Sequence, residues 1–182
     1  MLTFNKRMLI LVVLLISSQN AYAEQSSSST VSKVSVMGVK LCSNVIKTGE
    51  YLEGQGYKNA AMFAKRLGRI SNVGKSEGNE NYNFSINNDA PKKRKAVNFI
   101  SFHGSFKEGP NLFDIEKSQF ERNTGITLSC KQYTLGPDTR TECKYPEGDP
   151  NRNRPGFSYT ITHEENSHSF FVDAAAWGYS GC

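Results

Sequence analysis

The spacing of apolar positions changes along the chain from a helical period to an alternating one. Between residues 58 and 70, apolar side chains recur every three or four residues and basic residues occupy the opposite face, which predicts an amphipathic helix. Between residues 31 and 47 the apolar positions fit one helical face but also alternate in pairs, as in a strand. Of these two interpretations we favour the helix.

The alternating pattern begins at Tyr82 and continues in short segments towards the end of the chain. It predicts strands over residues 82–86, 96–102, 126–135, 140–145, 157–161 and 170–172. The segment 96–102 carries apolar side chains on both faces, which is typical of a strand in the middle of its sheet. A short helix over residues 112–122, capped by Asn111, is expected among the strands.

The order of these elements, with helices first and strands afterwards, favours an α+β fold. We expect one domain over residues 31–182, in which N-terminal helices pack on an antiparallel sheet of about five to six strands. Aromatic residues make up 11% of the chain, and this abundance also favours a sheet over a helical bundle.

The four cysteines allow three disulfide pairings. In a hairpin that turns on Gly136-Pro137, Cys130 and Cys143 lie directly opposite each other, because each is six residues from the turn. Opposite residues of a hairpin are within the Cα reach of a disulfide. By elimination Cys42 pairs with Cys182. We therefore predict two disulfides, which would suit an oxidising compartment.

The N-terminus has the three parts of a cleavable signal peptide. Lys6 and Arg7 supply positive charge, residues 8–16 form an unbroken apolar run, and Ala21-Tyr22-Ala23 is a small-x-small cleavage site. The apolar run is less than half of the roughly 20 residues that a membrane-spanning helix needs. We expect a signal peptide over residues 1–23, a flexible leader over 24–30, and a periplasmic or secreted protein without a transmembrane anchor after cleavage.

The charge balance is mildly basic. The chain carries 22 Lys and Arg against 17 Asp and Glu, a formal charge of +5, which becomes +3 when the two cations of the signal peptide are removed. A charge this small, on an exported protein, argues against nucleic-acid binding. We predict one basic patch, formed where a turn leads into a strand and joined by two arginines of a proline-rich loop: Lys92, Lys93, Arg94, Lys95, Arg152 and Arg154.

Such a patch suits an acidic protein or an anionic envelope or glycan surface. The alternative interpretation is a solvated turn that keeps the end of a strand soluble.

Two histidines enclose the one cluster of residues able to bind a metal. If residues 164–167 form a hairpin turn, His163 and His168 face each other and, with a nearby glutamate, offer three ligands to zinc or copper. Their spacing differs from the H-E-x-x-H motif. We interpret them as a polar hairpin tip and expect neither a functional metal nor a cofactor.

No motif in the sequence combines a nucleophile, a base and an oxyanion site. We therefore expect an exported non-enzymatic binding protein, such as a periplasmic immunity or inhibitor protein or a secreted factor that engages an envelope or host molecule. One alternative is a small hydrolase or metal-dependent enzyme that uses His103, His163 and His168. A second alternative is a surface subunit of the pilus or adhesin type.

Overall fold

The computed structural model describes residues 29–78, 80–87, 95–105, 112–179 and 182. Within these ranges the chain has a mixed α+β fold, as the order of elements predicted. The predicted signal peptide and residues 24–28 of the predicted leader lie outside them. The helices in the described part are too short or too polar to cross a membrane.

Most of the segment predicted as a helix over residues 31–47 instead contains a short antiparallel ribbon at residues 35–40, and only residue 31 and residues 45–47 are helical. Strands β1 (Ser35–Val36) and β2 (Val39–Lys40) pair through Val36 and Val39. The two residues between them, Met37 and Gly38, have φ angles of 48° and 82°. Two successive positive φ angles make the tight turn that matches the twist of a hairpin, so the alternating interpretation of this segment was the correct one.

Two helices follow the ribbon and pack against each other. Helix α1 (Val45–Gly54) begins at Asn44, whose side chain accepts hydrogen bonds from the backbone N–H groups of Ile46 and Lys47. Helix α2 (Ala60–Leu67) lies within the segment predicted over residues 58–70 and ends at Gly68, which has a φ of 65°.

A third helix, α3 (Leu112–Thr124), confirms the short helix predicted over residues 112–122 and extends it by two residues. It lies in the chain between two strands of the main sheet, so the helices are not all N-terminal as predicted. The predicted cap Asn111 lies outside the described residues.

A seven-stranded antiparallel sheet occupies the centre of the described chain. Its members are β3 (Ile70–Glu77), β4 (Glu80–Ile86), β5 (Phe99–Ser105), β6 (Ser129–Leu135), β7 (Asp138–Tyr145), β8 (Gly156–Glu164) and β9 (Ser169–Trp177). They lie in the order β3-β4-β5-β9-β8-β7-β6, with β9 in the middle. The sheet is larger than predicted because β3 was missed. On β3 only Ile70 and Val73 are buried, and a bulge between them interrupts the alternation.

One face of the sheet carries the core. Phe84, Phe102 and Phe170, from three neighbouring strands, form a continuous aromatic row with ring centroids 4.8 and 5.3 Å apart. Helix α3 packs on the same face, where the ring of Phe120 stacks on that of Tyr159 with centroids 4.1 Å apart. All five side chains are almost completely buried, so this row and α3 supply much of the hydrophobic stabilisation.

The opposite side of the sheet, called here the uncovered face, carries alternate side chains that are mostly half-buried or exposed. In its centre these are Ser101 and His103 on β5, Ser158, Thr160 and Thr162 on β8, and Phe171, Asp173, Ala175 and Trp177 on β9. Strand β5 is internal, as predicted for segment 96–102, but its second face is only partly covered because Phe99 and Ser101 remain half-exposed.

Both predicted disulfides are confirmed. In the β6–β7 hairpin, Leu135 pairs with Asp138 across the two-residue turn, and Cys130 pairs with Cys143, with their Cα atoms 4.0 Å apart. The second disulfide joins Cys42 to Cys182. The first holds the edge strand β6 to its neighbour, and the second closes the two ends of the domain. Two disulfides indicate an oxidising environment, extracellular or periplasmic.

Candidate binding groove on the uncovered face

A groove of about 450 Å³ opens on the uncovered face, at the end of the sheet where β5 begins and β9 ends. It is lined by aromatic, amide, hydroxyl and charged side chains together with small residues, and the residues that matter below are Asn98, Phe99, Arg152, Ser158, Thr160, Asp173 and Trp177. Its volume lies in the range of roughly 300–1,000 Å³ that is typical of small-ligand sites.

The groove exists because small side chains lie between two aromatic ones. Ala175 is flanked on one side by Phe99 of β5 and on the other by Ser158 of β8. Trp177 follows two residues along β9 and therefore lies on the same face. The short side chains of Ala175 and Ser158 form a depression in the sheet surface, which the rings of Phe99 and Trp177 border.

The indole of Trp177 is held in place by three neighbours. Its Nε1–H donates a hydrogen bond to the carbonyl oxygen of Arg154, at 2.7 Å. The backbone of Gly156, its partner in β8, lies directly against the ring. The guanidinium carbon of Arg152 lies 5.7 Å from the ring centroid, which is within the range of a cation–π interaction. The loop between β7 and β8 thus positions Trp177 and brings a cation to it.

The two charged side chains of the groove have no ionic partner in the described part of the chain. Asp173, in the middle of β9, lies between Ser101 and Thr160 and is exposed. None of the ion pairs among the described residues includes Arg152 or Asp173. Both charges are therefore free to interact with a ligand.

Asn98 lies at the edge of the groove, where its backbone carbonyl oxygen accepts a hydrogen bond from the backbone N–H of Ala176. The Oδ1 atom of Asn98 is buried and has no hydrogen-bond partner among the described residues. Its own backbone N–H is held by the side chain of Asn87, whose Oδ1 accepts from it at 2.8 Å. The Nδ2 of Asn87 donates to the carbonyl oxygen of Ala96, also at 2.8 Å. Asn87 therefore fixes the start of β5 and, with it, the position of Asn98.

The predicted basic patch is described only in part, since Lys92, Lys93 and Arg94 lie outside the described residues. Lys95, Arg152 and Arg154 are exposed. The structure brings Arg152 into the same groove as Asn87, the last described residue before segment 88–94. The proximity of Arg152 and Arg154 to the run of cations before β5, and the patch as a whole, stay a prediction.

The histidines proposed for a metal or catalytic site lie apart. In the β8–β9 hairpin His163 pairs with Phe170, and Glu164 pairs with Ser169, so residues 165–168 form the turn and His163 does not face His168. The predicted turn at 164–167 was therefore wrong by one residue.

His163 packs near the ring of Phe113 on the covered face, at a centroid distance of 5.7 Å. His103 stacks on Phe171 on the uncovered face, at 4.3 Å. No three His, Cys, Asp or Glu side chains within the described ranges are grouped as metal ligands. Glu164 instead forms an ion pair with Arg140 and accepts a hydrogen bond from the hydroxyl of Ser167.

The groove was not predicted from the sequence, although two features of the sequence point to it. Trp177 is the single tryptophan of the chain, and it follows the small residues Ala174, Ala175 and Ala176 near the end of a strand. A large ring beside small residues on an alternating strand indicates a depression in the sheet surface. Only the pairing of Trp177 with Gly156, and the position of Phe99 in the groove, show which groups surround this depression.

A buried carboxyl group was also missed. Glu116 of α3 is 3% exposed and accepts a hydrogen bond from the backbone N–H of Met37, at 3.0 Å. Burial raises its pKa to about 7, and the hydrogen bond from Met37 opposes that rise only in part. Burial, and after it the nearby carboxyl group of Glu116, raise the pKa of Tyr159 above its ordinary value. Glu116 lies on the covered face, so it belongs to the core and not to the groove.

Comparison with protein-family models, with curated proteins and with solved structures finds no match to this chain.

Proposed function

We propose that the chain is an exported, non-enzymatic binding protein that engages an anionic partner at the end of the uncovered face where Arg152 lies. The observation that carries this proposal is the position of Arg152. Its guanidinium is held over the ring of Trp177, lines an open groove and has no acidic partner in the described part of the chain. A cation that is positioned but not neutralised is suited to an anionic ligand.

The charges around the groove support the same partner. Lys95 and Arg154 are exposed, and neither takes part in an ion pair among the described residues. The sequence places three further cations, Lys92, Lys93 and Arg94, directly before Lys95. Clustered basic residues of this kind raise the rate of association with an anionic surface, and the effect weakens as ionic strength rises.

The rigidity of the site supports binding by contact. The groove is formed by three hydrogen-bonded strands at the centre of the sheet, and Cys42–Cys182 closes the domain. A preorganised site loses less conformational entropy on binding than a mobile one. Export through the predicted signal peptide would place this site in the periplasm or outside the cell, in agreement with the disulfides.

Surface plasmon resonance with immobilised lipopolysaccharide or polygalacturonate tests the proposal. The triple variant Lys95→Glu/Arg152→Glu/Arg154→Glu should associate at least tenfold more slowly than wild type at low salt, and its rate should depend less on salt. The control Lys33→Glu/Lys40→Glu/Lys58→Glu reverses three exposed lysines outside the groove and gives the same net charge.

The control variant should keep most of the wild-type association rate. If both triple variants lose binding equally, net charge alone controls association and the assignment to this surface is wrong. If the triple variant that includes Arg152 binds lipopolysaccharide and polygalacturonate as wild type does, the proposed function itself is contradicted.

A further inference from the structure

The geometry points to a more specific ligand: we infer that the groove binds a sugar residue that carries a carboxylate, such as a uronic acid at the end of a glycan. The inference rests on the proposed function and names the ligand of that same site. It is carried by the arrangement of one cation and one carboxylate without ionic partners in the described part of the chain, two hydroxyl groups and two aromatic rings around a single groove.

Arg152 provides the site for the ligand's carboxylate. A guanidinium presents paired N–H donors in a planar fork that matches the two oxygens of a carboxylate. The position of the guanidinium over the ring of Trp177 restricts the orientation of this fork. The hydrogen bond from the indole to the carbonyl oxygen of Arg154 fixes the ring on which Arg152 rests.

The rest of the lining is suited to hydroxyl groups. Asp173 is an exposed carboxylate without an ionic partner in the described part of the chain. Ser158 and Thr160, on the neighbouring strand, each offer one hydroxyl that can donate or accept. One carboxylate acceptor, two hydroxyl groups and one anion-binding group suit a ligand that has several hydroxyls and one acid.

The aromatic rings complete the match to a pyranose. Phe99 and Trp177 border the groove and are half-buried, so each presents part of its apolar surface to the ligand. One face of a pyranose ring consists largely of C–H groups, which bind favourably against such surfaces, while its rim carries the hydroxyls. A groove of about 450 Å³ accommodates one or two sugar residues.

The carboxylate of Asp173 argues against an acidic peptide as the ligand. A peptide rich in Asp and Glu would bring several carboxylates into a groove whose described lining offers one cation, and one of these carboxylates would lie near Asp173. Unpaired like charges in close contact are unfavourable. A hydroxyl-rich ligand instead uses Asp173 as a hydrogen-bond acceptor.

The fluorescence of Trp177 provides a direct test, because it is the single tryptophan in the chain. The exported protein is titrated with a tetrasaccharide of alternating glucuronic acid and N-acetylglucosamine, with a neutral N-acetylglucosamine tetramer and with tetraglutamate. We expect a saturable change of emission with the acidic tetrasaccharide and at least tenfold weaker binding of the other two probes. Asp173→Asn and Thr160→Val should each weaken binding of the acidic tetrasaccharide at least fivefold.

Thr162→Val is the matched control, since Thr162 lies two residues along the same strand on the same face but outside the groove. It should bind the acidic tetrasaccharide as wild type does. A tetraglutamate affinity equal to that of the tetrasaccharide, or no saturable change with the tetrasaccharide, overturns the sugar assignment.

The two proposals fail in different ways. If Asp173→Asn and Thr160→Val bind the tetrasaccharide as wild type does while reversal of Lys95, Arg152 and Arg154 abolishes association with polygalacturonate, the sugar assignment is wrong and the proposed function stands. If that charge reversal also has no effect, the proposed function fails.

Discussion

Gly156 and Trp177 lie directly opposite each other in the β8–β9 pairing, and a Cβ atom at position 156 would be 3.0 Å from Cζ2 of the indole ring. That distance is tighter than about nine in ten contacts of real Cβ atoms, so the ring would have to move by a few tenths of an ångström to admit a side chain at position 156. Glycine therefore leaves room for the indole ring in the position from which its N–H donates to the carbonyl oxygen of Arg154.

We expect Gly156→Ala to displace Trp177 towards the groove and into solvent. Its emission maximum should move to longer wavelength, and binding of the acidic tetrasaccharide should weaken several-fold, because Arg152 loses its support. Ser158→Ala, two residues along the same strand, is the control for the spectrum and should leave it unchanged. An unaltered spectrum in Gly156→Ala would show that the ring is not held by this contact.

The contact between α1 and α2 depends on Gly49. A Cβ atom there would lie 2.6 Å from Cβ of Ala64 and 2.8 Å from the carbonyl oxygen of Ala60, so Gly49→Ala should push the helices apart. We expect a loss of about 1–3 kcal/mol in the free energy of unfolding, measured in urea. Gly54→Ala, on the same helix, meets nothing within 4 Å and should instead stabilise by about 0.4–1 kcal/mol. Equal effects of the two variants would contradict this packing.

Glu116 makes stability depend on pH in a direction that follows from its raised pKa. The folded carboxyl, with a pKa of about 7, binds its proton more tightly than the unfolded one, whose ordinary value is 4.5. Below pH 4.5 the carboxyl is protonated in both states, so it does not lower the free energy of unfolding. Above pH 7 the folded state carries a buried charge. The free energy of unfolding should therefore fall as the pH rises through this window.

The variant Glu116→Gln removes this effect, because its amide oxygen still accepts from Met37 but carries no charge. Its stability relative to wild type should increase by about 3 kcal/mol between pH 4.5 and 7.5, as an upper estimate from the shift. Urea denaturation at several pH values measures it. A constant difference between the two proteins over that range would mean that Glu116 ionises normally in the fold.

The two disulfides should differ in their contributions to stability. Cys130–Cys143 spans 13 residues and Cys42–Cys182 spans 140, so loop entropy assigns roughly 3 kcal/mol to the first and about 5 kcal/mol to the second. Urea unfolding of Cys130→Ser/Cys143→Ser and of Cys42→Ser/Cys182→Ser should therefore show the larger loss in the second. The reverse order would indicate that native strain or residual unfolded structure outweighs loop length.

The sequence predicted best those elements that depend on short-range interactions and for which only one pattern fits. The turn at Gly136-Pro137 sets the register of its hairpin, and the register places Cys130 opposite Cys143, so this disulfide could be predicted from spacing alone. The helix over Ala60–Leu67 followed from its apolar stripe for the same reason.

Prediction failed where two patterns overlapped or where tertiary packing decided the outcome. The apolar positions of residues 31–47 fit both a helical and an alternating pattern. The tight turn at Met37-Gly38 favours the ribbon over the helix. The predicted contact between His163 and His168 was wrong because the turn lies one residue later than expected and contains His168. The groove combines residues of β5, β8, β9 and a loop, and only the strand order shows that they meet.

The central claim is that an anion binds at Arg152 beside Trp177, and iodide quenching of tryptophan fluorescence tests it most directly. Trp177 is the single tryptophan, so the signal comes from the groove alone. At low ionic strength the ratio of the iodide to the acrylamide quenching constant should be about twofold higher in wild type than in Arg152→Gln, because the guanidinium concentrates anions near the ring. Arg122→Gln, which removes an exposed charge from α3, should leave the ratio at the wild-type value. Equal ratios in wild type and Arg152→Gln would contradict the account.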